Sequence, residues 1–193
     1  MRILVVDDEK RLAAAVKRGL QSEGFAVDLA SDGKAGLEMA TSNHYDAIVL
    51  DILLPGLNGY QMCSLLREKG NWVPRVVVEC KIGGVTTHDA LTYSTKASTH
   101  KHVHPYLRYG FLAGRRQHYA IPGRLVRHGA YFDFMASWVG LKPTNKEWRD
   151  FIAVLKDELK ASRTIQEILT TTRSASRTRY NILHRPLKLL KTR

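Results

Sequence analysis

Short apolar runs alternate with longer amphipathic stretches over the first eighty residues. Ile3-Leu4-Val5-Val6 is closed by Asp7, Asp8 and Glu9, and Ala47-Ile48-Val49-Leu50 is closed by Asp51 and followed by Leu54-Pro55-Gly56. Runs this short and this rich in β-branched residues, separated by helical patterns, read as buried parallel strands. Between them, Leu12, Ala15, Val16 and Leu20 recur at helical spacing, and Gly24 ends that helix. Phe25 to Leu29 alternates like a second strand, and Ser31 and Asp32 can cap a short helix through Ala35, Leu37 and Met39. Asn58 or Gly59 opens another, through Met62, Leu65 and Leu66, which stops at Gly70. Pro74 precedes a further apolar run, Val76-Val77-Val78. The order βαβαβαβ predicts an α/β fold built on a doubly wound parallel sheet.

In that fold Asp7, Asp8 and Asp51 stand at the carboxyl ends of neighbouring strands, where open α/β sheets bind their ligands. Three converging carboxylates make an oxygen-rich site suited to Mg²⁺.

The segments "ILVVDDE" and "DAIVLDILLPGLNGYQMCSLLR" resemble the receiver domain of two-component response regulators, especially those with a winged-helix output domain. The resemblance runs without gaps from Met1 to about Val78. It implies that Asp51 is the phosphoacceptor, charged by a sensor histidine kinase. It further implies a Mg²⁺ site of Asp7, Asp8 and Asp51 with the backbone carbonyl of Leu53. A carboxylate attacking a phosphoryl group needs the charge of both offset, and Mg²⁺ does that.

Beyond Val78 the pattern departs from the family. The position where receivers carry Thr or Ser is Glu79, whose carboxylate would repel a phosphoryl group. Lys101 lies near the distance expected of the family's lysine, but Lys101-His102-Val103 lacks the proline that usually follows, so that role is not carried over.

Charge changes at the same place. Residues 1–74 carry a net −2, so residues 75–193 carry +14 of a chain at +12. No acidic residue follows Glu167, whereas Arg173, Arg177, Arg179, Arg185, Lys188, Lys191 and Arg193 do. Such asymmetry points to DNA or another anionic partner, with a solvated tail as the plainer account of residues 173–193. Two cysteines, Cys63 and Cys80, and the lack of a signal peptide fit a cytoplasmic protein. No apolar stretch approaches the ~20 residues that span a bilayer, so no membrane partner is expected.

The expected division is a receiver-like domain over 1–79, truncated or remodelled after its fourth strand, and a basic α+β region over 80–193. In the latter, Val76 to Lys81 reads as a strand ending in Glu79-x-Lys81, with Thr87 capping a helix and strands over Tyr106–Leu112 and Ala130–Trp138. This order is similar, more weakly, to PD-(D/E)xK nucleases. That resemblance implies an alternative site in which Glu79 holds metal and Lys81 polarises water, or an inactive remnant of one. The nearest candidate for its second carboxylate is Asp51, and the nuclease fold needs an antiparallel strand pair. His100, His102 and His104 would share one face of a strand and offer zinc ligands, though a polar edge strand explains them as well. A long helix starts at Pro143-Thr144-Asn145, with Thr144 and Glu147 as capping box and Trp148, Phe151, Ile152, Leu155 and Leu159 on its apolar face. That face packs on a core or joins a homodimer. A chimera joined between Asn71 and Glu79 is a further reading, and it predicts either a poorly packed second half or one folded around a rebuilt sheet.

Overall fold

A computed structural model of the chain describes residues 1–69, 75–114, 121–138, 140 and 143–170. Two compact units divide it, Met1–Val73 and Pro74–Arg193.

The first unit runs β1 (Arg2–Val6), α1 (Lys10–Ser22), β2 (Ala26–Ala30), α2 (Gly33–Ser42), β3 (Ala47–Leu50) and α3 (Gly59–Glu68). Its strands are all parallel in the order β2-β1-β3, with Val6 in register with Ala30 on one side and Leu50 on the other. β1 is the central strand, and Ile3, Leu4, Val5 and Val6 are each at most 5% exposed, so both of its faces are covered. Leu4 and Val6 pack with Ala30, Ala40, Leu54, Met62 and Leu66. Each of the Val, Leu and Met side chains contributes about 1.5–3 kcal/mol by leaving water.

Local signals fix the helix ends. Gly24 has φ +83°, the left-handed residue expected where α1 stops. The Asp32 side chain accepts from the Ala35 amide at 2.8 Å. Asn58 and Gln61 cap α3 reciprocally, Asn58 Oδ1 accepting from the Gln61 amide at 2.9 Å and Gln61 Oε1 from the Asn58 amide at 3.1 Å. One expectation fails here. Leu12 is 42% exposed, and Ala13 and Leu20 carry the buried side of α1.

The second unit runs β4 (Val76–Ile82), α4 (Thr87–Val103), β5 (Arg108–Gly114), α5 (Gly123–His128), β6 (Phe134–Ser137) and α6 (Asn145–Thr170). Here lies the main correction to the sequence reading. β4 was expected as the fourth strand of the first sheet, but it pairs with β5 in a separate parallel sheet of order β4-β5-β6. The pairing with β5 is visible in the register. Val77, Glu79 and Lys81 lie opposite Tyr109, Phe111 and Ala113, and Tyr109 supplies the hydroxyl that Glu79 needs once buried. The division between units therefore precedes β4, whereas a boundary at 79/80 would cut this strand. It lies within the Asn71–Glu79 window where the sequence patterns change.

The second sheet has a packed core. Tyr109, Phe111, Ala113, Leu107, Leu125, Ala90 and Ala97 are almost wholly buried together, against Val85 and Phe132. On the other side α6 lies against β4 and β5, tied by Arg108 Nε to Glu158 Oε2 at 2.5 Å. Phe151 meets Trp138 edge-on at 5.8 Å between centroids. The Thr144–Glu147 capping box forms, with the Glu147 carboxylate accepting from the Thr144 amide at 2.7 Å. At α4 the cap is Thr86, not Thr87, paired reciprocally with Asp89.

Strand limits also shift: Tyr106 precedes β5 in a turn, and β6 is shorter than the run Ala130–Trp138. The three histidines are not on a strand. His100 and His102 belong to the last turn of α4 and His104 is its C-cap, so helical rotation points neighbours at i and i+2 apart. His100 stacks on the Tyr109 ring and His104 meets the Tyr106 hydroxyl at 3.2 Å. A shared zinc site is thereby overturned. Among the described residues no helix is long and apolar enough to cross a membrane. Neither Cys63 nor Cys80 is joined in a disulfide among the described residues.

Candidate functional site

The acidic site is held by sheet hydrogen bonds. The Asp7 amide donates to the Ala30 carbonyl at 3.1 Å, and the Asp51 amide donates to the Val6 carbonyl at 2.9 Å. Each carboxylate thus begins one residue beyond a strand. β1 lies between β2 and β3, so the chain order reverses beside it, and the crevice opens at the carboxyl ends of β1 and β3. There the ligand oxygens of Asp7, Asp8 and Asp51 all lie within 4.8 Å of one another. Asp7 and Asp51 are half-buried and Asp8 is exposed.

Turns on both sides orient the carboxylates. Asp7 Oδ1 accepts the Glu9 amide at 2.8 Å, and Asp51 Oδ1 accepts the Leu53 amide at 3.2 Å. Gly56, with φ +72°, turns the chain back towards α3. Gly59 then passes so close that a Cβ on it would stand 2.3 Å from the Asp51 carbonyl oxygen. Only a glycine lets α3 begin there.

Among the described residues no basic side chain forms a salt bridge with the cluster. Burial raises the Asp7 carboxyl above its ordinary value, the charges of Asp51, Asp8 and Glu9 push the same way, and the Glu9 amide opposes them. Hard oxygen donors gathered with uncompensated charge fit a small divalent cation. The side chain of Leu53, by contrast, is 84% exposed.

The profile of the response regulator receiver domain matches residues 3–105, more than half of the chain. The chain belongs to the response regulator receiver family. The match extends past Val78, where the likeness read from sequence stops, and takes in β4 and α4. The receiver is 40% identical over 86 residues to the transcriptional regulatory protein TcrA of Mycobacterium tuberculosis, covering 45% of this chain and 34% of that protein. It is 41% identical over 80 residues to the transcriptional regulatory protein PcoR of Escherichia coli, covering 42% and 35%. The chain thus matches about a third of the length of these curated relatives. Among solved structures, the response regulator TrrA of Thermotoga maritima, in complex with Mg²⁺-BeF, aligns at TM-score 0.41 and 22% identity, covering 81% of this chain and 97% of that one.

The remaining candidate residues fall elsewhere. Glu79 is 8% exposed, accepts the Tyr109 hydroxyl at 2.7 Å and lies 4.0 Å from Lys96 Nζ. Lys81 Nζ pairs with Asp89 at 2.6 Å, and this contact, with the Thr86 bonds, holds the Asp89 carboxyl well below its usual range. The nuclease alternative does not survive this arrangement. β4 is an edge strand whose partner β5 is parallel, and no antiparallel neighbour brings a second carboxylate to Glu79 among the described residues. Both members of the Glu79–Lys81 pair are committed to their own structural partners. Lys101 bonds Asp133 at 2.6 Å and the Tyr131 carbonyl at 2.9 Å, tying α4 to the start of β6. Arg173, Arg177, Arg179, Arg185, Lys188 and Lys191 lie outside the described residues.

Proposed function

We propose that the chain is a cytoplasmic two-component response regulator. Asp51 takes a phosphoryl group from a sensor histidine kinase, and the basic C-terminal half acts on DNA. The observation that carries the reading is the meeting of the Asp7, Asp8 and Asp51 oxygens within 4.8 Å at the ends of two neighbouring strands. Receiver membership supports it, and TcrA and PcoR are transcriptional regulatory proteins by name.

Asp7, Asp8 and Asp51, with the Leu53 carbonyl, would hold Mg²⁺. When bound, the cation offsets the charge of the attacking carboxylate and of the phosphoryl oxygens. Asp51 Oδ1 is engaged by the Leu53 amide, which leaves Oδ2 as the attacking oxygen. It forms the bond to phosphorus as the bond to the donor breaks and the electron pair leaves with the donor. The sheet bond at the Asp51 amide keeps this nucleophile fixed relative to Asp7.

The test is the intact mass of the protein after incubation with acetyl phosphate and Mg²⁺. One adduct of about 80 Da, the ordinary mass of a phosphoryl group on a carboxylate nucleophile, is expected for the wild type and not for Asp51→Ala. A folded wild type that takes no adduct would sink the reading.

A further inference from the structure

α6 carries five basic and five acidic side chains, and most of the acids are drawn away from the line of the bases, with Asp157 exposed beside it. Glu147 is turned into the capping box, Glu158 receives Arg108, and Asp150 takes Lys146 at 2.7 Å. The other bases, Arg149, Lys156, Lys160 and Arg163, are exposed and form no salt bridge among the described residues. At ~100° and ~1.5 Å per residue, these four fall within roughly 60° of one another along about 21 Å of helix. Glu167 stands at the end of that line.

Isolated helices disfavour such an arrangement. Lys156 and Lys160 are four apart and Lys160 and Arg163 three apart, so like charges stack, each pair costing a few tenths of a kcal/mol. An extended polyanion removes that cost. Building on the reading that the basic half meets DNA, we infer that the Arg149–Lys156–Lys160–Arg163 stripe of α6 is a phosphate-backbone contact for duplex DNA, independent of base sequence.

Three features select the duplex. The stripe is straight and single-file, and its length equals the axial rise of about six base pairs at ~3.4 Å each. No aromatic side chain lies among the four bases, so there is nothing for an unstacked base to stack on. No large apolar side chain accompanies them either. Leu169, the large hydrophobic residue exposed on α6, sits on the opposite side, so the stripe has no edge to bury in a lipid surface.

The experiment measures binding of the full chain to a labelled duplex of arbitrary sequence by anisotropy, from about 50 to 200 mM salt. Each phosphate contact contributes a slope of about −0.9 in log K against log salt. The variant with Arg149, Lys156, Lys160 and Arg163 all changed to Gln should lose about 3 to 4 units of slope. Over that range the wild type would weaken on the order of 10²-fold more than the variant. Lys146→Gln, whose charge is already paired with Asp150, should retain the wild-type slope. Circular dichroism checks that the variants fold. A fourfold variant with unchanged slope overturns the stripe and leaves DNA binding to other residues. A wild type that binds no duplex at low salt removes both the stripe and the DNA reading. Loss of binding to anionic lipid vesicles, with duplex binding intact, would reassign the stripe and overturn the inference.

Discussion

The Tyr109 hydroxyl on β5 donates to Glu79 on β4 across 2.7 Å, inside the buried face of the second sheet. Glu79 is the residue standing where receivers carry a hydroxyl side chain, and here it has become a core acceptor. Among the described residues Tyr109→Phe leaves the carboxylate with Lys96 at 4.0 Å, and it should destabilise the protein by roughly 1–3 kcal/mol. Glu79→Thr should also cost stability, because it removes the acceptor of the Tyr109 hydroxyl, and should not raise the yield of phosphorylated Asp51. Replacing both partners, as Glu79→Met with Tyr109→Phe, should recover much of the loss. Urea unfolding of the three variants measures this.

The acidic cluster should trade stability against cation binding. Asp7 carries the raised carboxyl, so Asp7→Asn removes repulsion from Asp8 and Asp51. In EDTA its melting temperature should rise by about 2–4 °C, corresponding to ~1 kcal/mol in a chain of this size. The same change removes a ligand, and calorimetric titration should find Mg²⁺ affinity at least about tenfold lower. A variant that melts no higher than wild type would mean the cluster is already neutralised.

Gly59 should be irreplaceable for a steric reason. In Gly59→Ala the new Cβ meets the Asp51 carbonyl oxygen and the Ile52 Cα, at 2.3 and 2.9 Å, and either α3 or the Asp51 loop must move. The expected cost is about 1–3 kcal/mol in urea unfolding, with a smaller phosphorylated fraction at equal time.

Acid sensitivity of the second unit should follow Asp89. Its carboxyl is held low, first by Lys81 and then by the Thr86 bonds. A depressed folded pKa means the stabilisation is complete above the unfolded value, ~3.9, and is lost as pH falls through the folded one. Asp89→Asn should therefore weaken the protein near neutral pH and flatten the loss of stability below about pH 4. Chemical unfolding across that range reads the slope, and parallel curves for variant and wild type would refute the assignment.

What the sequence made legible was local. The apolar runs ending in Asp7 and Asp51 identify β1 and β3, and the Thr144-x-x-Glu147 spacing marks the start of α6. Thr86 and Thr87 compete as caps, and the acid three residues on, Asp89, is the signal that decides for Thr86. α4 is expected from Thr87, but its extent to Val103 is hidden because its buried side is small and partly polar, made of Ala90, Ser94 and Ala97. That left the alternating histidines to be misread as a strand. α5, at six residues, is too short to leave a pattern. Hardest was the partner of β4. Parallel strands are joined by crossovers, so nothing near Val76–Ile82 says whether β3 or β5 lies beside it. The meeting of Asp7, Asp8 and Asp51 does not depend on that pairing, because β1 and β3 alone bring them together.

The amides of Asp7 and Asp51 are both spent on the sheet, one on Ala30 and the other on Val6. In hydrogen exchange they should behave as slow clocks, releasing their protons only when the central strand opens. Asp51 then has no private route to disorder. A lesion anywhere in the first unit's core should lower the number of molecules able to react while leaving the rate of each competent molecule untouched.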